Sequence, residues 1–311
     1  MVQRQRNPFA WRACAWAAVG LLVLTSCSSL QEAADGRKLV IATTNFSETR
    51  ILARIYEQVL EANGVSVGVK ELTTREVIAP ALSSGQVQVA PEYLGSFATY
   101  LNDRVNGPGA PAGASGDVEA TFAAASALAG AENITLLPPS QAQNQNAFAV
   151  TEAFAEQHGI TTMSELAAYS QANPITLGGA PECPQRPFCL PGIQQTYGVK
   201  VDQFLSLDVG PLTINAIKQG TVNVGHVLSS SPSVAVNGLV VLTDDKGLQT
   251  PENILPAVYT PALTDTIERA LNSVSQALTM QELQQMNQQV DIDRMDPEDV
   301  AEQFLVRNGV L

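Results

Sequence analysis

Between residues 39 and 93 short apolar runs alternate with helix-period segments, and that alternation leaves few folds open. Leu39-Val40-Ile41-Ala42 is an apolar run of strand length. Asn45 and Glu48 are spaced as a capping box, with Ser47 as the other candidate cap. Ile51, Leu52, Ile55 and Val59 then form one face of a helix that Asn63-Gly64 closes. A second strand is expected over 65–72. Thr73-x-x-Glu76 opens a second helix with Val77, Ile78, Ala81 and Leu82 inward, and Gly85 stops it. Val87 and Val89 begin a third strand that runs into Pro91-Glu92-Tyr93. A β-α-β-α-β order calls for a mainly parallel sheet with helices on its faces, because each parallel neighbour needs a crossover.

The same punctuation returns later. Residues 81–89 (A-L-S-S-G-Q-V-Q-V) match residues 216–224 (A-I-K-Q-G-T-V-N-V) in pattern: a helix end, a Gly stop, then a short alternating strand. Two copies of one α/β module fit two lobes with a cleft between them. Phe148-Ala149-Val150 opens the second lobe, and helices near 265–286 and 297–307 form a tail expected to return to the first. The lobes are placed at 38–143 with 231–311 and at 144–230. Two crossings between lobes make a hinge, which permits closure on a ligand.

The N-terminus reads as an export signal. Arg4, Arg6 and Arg12 precede an apolar stretch over 13–25. That stretch is shorter than the roughly 20 residues a membrane span needs. Leu24-Thr25-Ser26-Cys27 resembles a bacterial lipobox, with Cys27 the residue to be lipidated, residues 1–26 the signal peptide and 27–37 a tether. The protein is therefore expected outside the cytoplasm, anchored by lipid to the cell membrane. Cys183 and Cys189 remain, six positions apart in a Pro-rich loop. In an exported protein the simplest reading is a disulfide; a metal site is the rival, with no His nearby in sequence. The sequence suggests neither a metal nor a cofactor. Seventeen Lys and Arg against 30 Asp and Glu leave a net charge of −13, which argues against nucleic acid as a partner.

No G-x-S-x-G, Walker A loop or H-E-x-x-H is present, so an export signal and two lobes point to capture rather than conversion. In open α/β sheets ligands sit beyond the carboxyl ends of strands. That places 43–46, 93–96, 180–186 and 228–231 around one cleft. An enzyme on a similar scaffold would need a convergent acid–base pair there, and an adaptor lipoprotein would have an empty or collapsed cleft.

At those segments the chain resembles the glycine betaine/carnitine/choline-binding subunits of osmoprotection ABC importers, over about 38–311. The marks are Thr44-Asn45-Phe46-Ser47-Glu48, similar to N-F-T-E, and Pro91-Glu92-Tyr93-Leu94-Gly95-Ser96, similar to P-E-Y-T-G-T. Leu190-Pro191-Gly192 with Tyr197-Gly198, and residues 241–246 (V-L-T-D-D-K), add weaker ones. The resemblance implies the two-lobed periplasmic-binding-protein fold of type II, each lobe a mainly parallel α/β sheet. It implies a monomer that passes a small ligand to permease subunits in the membrane. It also implies a trimethylammonium group held among tyrosine rings by cation–π attraction, roughly 0.5 to 2 kcal/mol per ring. Tyr93 matches a cage tyrosine and Ser96 the hydroxyl donor three residues on, while Arg186 lies where the family carries a basic residue in the second lobe. Asn45, Phe46 and Thr49 fall on the first motif, with Thr49 in place of a glutamine.

The cage itself departs from the family. Asn146, after Asn144 and Gln145, stands where one tyrosine is expected, and Leu228 where another is. Near Pro251 a third is replaced by Glu252 or Asn253, with Asn253 taken as the contact. Both tryptophans, Trp11 and Trp16, lie in the signal, so a tryptophan cage is impossible. The alternative ligand is therefore a polar or hydroxylated molecule held by more hydrogen bonds than a cage provides.

Overall fold

The computed structural model describes residues 38–107, 110, 114–181 and 183–311. The expected signal peptide, Cys27 and the tether lie outside them. The first lobe opens with β1 (Leu39–Thr43), α1 (Ser47–Ala62), β2 (Val67–Glu71), α2 (Arg75–Ser83) and β3 (Val89–Tyr93). It continues with α3 (Leu94–Asn106), α4 (Val118–Ala131) and β4 (Ile134–Leu136). The second lobe holds β5 (Asn146–Thr151), α5 (Glu152–His158), α6 (Met163–Ser170), β6 (Thr176–Gly179) and α7 (Leu190–Gly192). It also holds β7 (Gln203–Ser206), α8 (Pro211–Lys218), β8 (Val224–Leu228), α9 (Pro232–Val236) and β9 (Leu239–Val241). The chain then returns through β10 (Ile254–Tyr259), α10 (Asp265–Ala277), α11 (Met280–Asp291) and α12 (Pro297–Arg307).

The two sheets are copies of one plan. Their strand orders are β2-β1-β3-β10-β4 and β7-β6-β8-β5-β9. In each the first three strands are parallel, the fourth runs antiparallel to them, and the fifth pairs antiparallel with the fourth and so points the same way as the first three. The antiparallel strand is the one arriving from the other lobe. It starts at the cleft, where β1, β3 and β8 end, so it must run the opposite way: Ile254 faces Tyr93 and Asn146 faces Leu228. The repeated sequence pattern is explained by this symmetry. Gly85 and Gly220 sit at the same turn in the two lobes, with φ of 73° and 67°, where a left-handed residue lets the chain leave the helix.

Strand alternation sorts the core onto both faces of each sheet. In β1, Leu39 and Ile41 join one cluster with α1 and the C-terminal helices, while Ala42 joins another with α2, α3 and α4. The second sheet divides its apolar residues in the same way, with Val150 on one face and Ala149 on the other.

Three expectations are corrected. The return to the first lobe comes later than residue 231, because β9 pairs with β5 in the second sheet and the chain crosses only between Val241 and Ile254. The long helix over 265–286 is two helices; Leu278 takes an extended backbone and the Thr279 hydroxyl accepts from Glu282 N to start α11. No capping box opens α1: its N-cap is Phe46, without a side-chain bond, and Glu48 turns inward.

The two crossing segments are stitched to each other. Gln143 and Asn253 form a β-bridge, and Ile254 N donates to Ala142 O at 2.9 Å and Asn144 N to Glu252 O at 3.1 Å.

Candidate functional site

A cavity of about 380 Å³ lies beyond the carboxyl ends of the strands, with walls from both lobes and both crossings. The first lobe supplies Phe46 from the turn before α1, Tyr93 from the end of β3, and Ser96 and Thr99 from one face of α3. The second supplies Asn146, His226 and the loop residues Arg186, Pro187, Phe188 and Cys189. The crossings supply Asn144, Gln249, Thr250 and Glu252. Phe46 and Phe188, from different lobes, line the cavity at 39% and 38% exposure.

Glu48 is the buried centre behind this wall, at 1% exposure. Its Oε1 accepts from the Tyr93 hydroxyl at 2.6 Å and from Asn144 Nδ2 at 3.0 Å, and its Oε2 accepts from Asn287 Nδ2 at 2.6 Å. A desolvated carboxylate needs such donors, and these three tie α1, β3, the first crossing and α11 together. Asn287 Nδ2 also reaches Ser230 O at 3.2 Å, so the network extends to the end of the second lobe's β8. Burial, and then the charge of Glu48, hold the Tyr93 phenol well above its ordinary pKa, so it stays a neutral donor with its ring pinned at the cavity wall.

Next to it, Arg75 clamps Glu92, its Nε and Nη2 donating to Oε2 at 3.0 and 2.7 Å. Glu252 Oε2 accepts from both the backbone N and the hydroxyl of Ser96, each at 3.1 Å. Burial raises the pKa of Glu252, and nearby Glu92 adds to this; the Ser96 donors and the field of Arg75 oppose it.

On the other wall Cys183 and Cys189 are joined as a disulfide, Cα–Cα 5.2 Å, closing the loop that carries Arg186, Pro187 and Phe188. The ring of His226 lies beside it, its Nε2 3.0 Å from Asn146 Oδ1. The donor atoms of Cys183, Cys189 and His226 lie within 4.8 Å of one another. Both sulfurs are spent on each other, so neither is a thiolate ligand in this state.

Of the residues expected from sequence, Phe46, Tyr93, Ser96, Asn144, Asn146 and Arg186 line the cavity. Asn45, Thr49, Leu228 and Asn253 do not. Asn45 is exposed beside it. The Thr49 hydroxyl is used locally, donating to Phe46 O at 2.8 Å and bonded to the Thr44 hydroxyl, so it shapes the turn. Leu228 is held in the β5–β8 ladder opposite Asn146. Asn253 turns away and donates to Ser140 O at 2.9 Å; Glu252, one position earlier, is the residue on the cavity. Thr99, Pro187, Phe188, His226, Gln249 and Thr250 were missed. Thr99 was readable as i+3 from Ser96 on one helix face. Phe188 was readable as the aromatic residue inside the Cys183–Cys189 loop.

Residues 37–307 match the family described as the substrate-binding domain of ABC-type glycine betaine transport systems. The chain belongs to that family. It is 30% identical to the Escherichia coli glycine betaine-binding protein YehZ over 94% of this chain and 97% of that protein. The solved ligand-free structure of YehZ superimposes with a TM-score of 0.74 at 28% identity, covering 88% of this chain and 99% of that one. A Pseudomonas aeruginosa glycine-betaine-binding protein is 27% identical over 92% of this chain and 93% of its own length. A solved glycine betaine/carnitine/choline ABC transporter component shares the fold, with TM-score 0.78 at 20% identity, over 88% of this chain and 99% of that one. The family is one of transport subunits, not of enzymes. The fold is the type II periplasmic-binding-protein fold expected from sequence. No helix among the described residues is long and apolar enough to cross a membrane.

Proposed function

We propose that this protein captures glycine betaine or a related small zwitterionic osmoprotectant between its lobes and hands it to the membrane subunits of an ABC permease. The observation that carries the reading is the pairing across the cavity of a pinned Tyr93 ring on one wall with Arg186 on the other. A cation over the ring and a carboxylate toward the guanidinium would use both walls at once, so the ligand itself would draw the lobes together. The cavity volume of about 380 Å³ suits a small solute. Residues 1–26 are read as the export signal and Cys27 as the lipidated residue that keeps a monomeric protein at the outer face of the membrane; the Cys183–Cys189 disulfide fits that compartment. Isothermal titration with glycine betaine, choline and carnitine tests the reading. Glycine betaine should bind, and Tyr93→Ala and Arg186→Ala should each weaken it at least tenfold, about 1.4 kcal/mol. Binding unaffected by either change would refute this use of the cavity.

A further inference from the structure

The N-terminus of α3 faces the cavity and has the makings of an anion site: backbone N–H groups without helical partners at the positive end of the dipole. Here the protein fills that site itself. Leu94 N donates to Asn253 O at 3.0 Å and Gly95 N to Pro251 O at 2.8 Å. Ser96 N and Oγ both donate to Glu252 Oε2. The first turn of α3 is therefore spent on the second crossing, and the Ser96 hydroxyl is already engaged where a ligand carboxylate would want it.

What faces the cavity instead is Glu252. Its second oxygen, Oε1, accepts one hydrogen bond among the described residues, from Thr250 Oγ1 at 3.5 Å, which is long for a hydroxyl donor. The hydrogen bonds of nearby Arg75 go to Glu92, so this wall carries more negative than positive charge, while Arg186 stands on the other. The polarity of a zwitterion is thereby set, with its cation toward α3 and its anion toward the disulfide loop.

We propose that Glu252 decides which cations the cavity takes, favouring a positively charged nitrogen that bears at least one N–H over a fully methylated one. A protonated amine gives Oε1 a charge-assisted hydrogen bond. A quaternary ammonium has no donor, so it desolvates the carboxylate without replacing the lost hydrogen bond. A cage of several rings would reverse this order, because rings reward methyl burial and accept no N–H bond of comparable strength. Among the residues lining this cavity Tyr93 is the one tyrosine, and a carboxylate lies where the sequence pattern loses another.

The inference rests on the proposed function, and the N-methylated glycine series separates the two. Glycine betaine carries no N–H, N,N-dimethylglycine one and sarcosine two, at nearly constant shape. Isothermal titration of the wild-type protein should show N,N-dimethylglycine binding about tenfold tighter than glycine betaine, the size of a charge-assisted hydrogen bond. Glu252→Gln should remove that preference, with circular dichroism verifying the fold. Glycine betaine binding the wild type as tightly as N,N-dimethylglycine, or tighter, overturns the inference and leaves the osmoprotectant reading standing. A preference that survives in Glu252→Gln overturns it as well. No binding of any of the three overturns both.

Discussion

The Glu48 network makes a quantitative claim about what holds the Tyr93 ring at the cavity wall. Three hydrogen bonds of 2.6, 3.0 and 2.6 Å converge on one buried carboxylate. Tyr93→Phe removes one charge-assisted bond and should cost about 1.5 to 3 kcal/mol. Glu48→Ala removes all three and leaves a hole. The desolvation of the carboxylate is recovered, but three buried neutral donors lose their acceptor at about 1 to 3 kcal/mol each, so the net loss should be about 3 to 5 kcal/mol. Once Glu48 is gone the Tyr93 hydroxyl has lost its acceptor, and Tyr93→Phe in that background should cost close to nothing. The two changes should therefore couple by roughly 1.5 kcal/mol or more. Equilibrium urea unfolding of the four proteins, with the slope checked for constancy, reads this directly. In thermal unfolding Glu48→Ala should melt at least about 6 °C lower, at 2 to 4 °C per kcal/mol for a domain of this size. Effects that add within about 0.5 kcal/mol would show that the bond contributes nothing to stability, and the account of a pinned ring would fall.

Other expectations follow from the same geometry. Burial holds the folded pKa of Glu252 above its unfolded value, so its contribution is fully favourable below the ordinary glutamate range and is lost as pH rises through the folded pKa. Ligand-free Glu252→Gln should accordingly be more stable than wild type at neutral pH, with the gap closing as the pH falls into the ordinary glutamate range; a melting profile against pH checks both sign and window. Replacing Cys183 and Cys189 with Ala opens a short loop and should lower stability by about 2 kcal/mol. It should also weaken ligand binding, because the freed loop carries Arg186 and Phe188; unchanged affinity would show that the bridge does not organise the cavity wall. A Cβ on Gly95 would lie 2.6 Å from Thr250 Oγ1 and 2.9 Å from Pro251 O. Gly95→Ala should therefore push the second crossing off α3, lowering stability by about 1 to 3 kcal/mol and releasing Ser96 from Glu252, which backbone amide exchange at Ser96 would report.

What was legible in the sequence is what short stretches decide. The strand-helix alternation, the Gly stops at 85 and 220, the three parallel strands of each mixed sheet and the two-lobed plan follow from local periodicity and turn chemistry. Tyr93 and Arg186 were readable because they sit on motifs carried by single loops. The rest depended on contacts between distant segments. Glu48 looked like a cap until the fold brought Asn287, 239 residues away, to its carboxylate. Asn253 and Glu252 cannot be told apart by pattern, since in a strand neighbours face opposite ways and only the bridge between Gln143 and Asn253 sets which one meets the cavity. The late crossing at 241–254 likewise rests on β9 pairing with β5 across about 90 residues, an association no local signal encodes. Local sequence determined the modules and their order. The tertiary structure decided the register at the crossings, and with it that a carboxylate faces the cavity beside a single tyrosine ring.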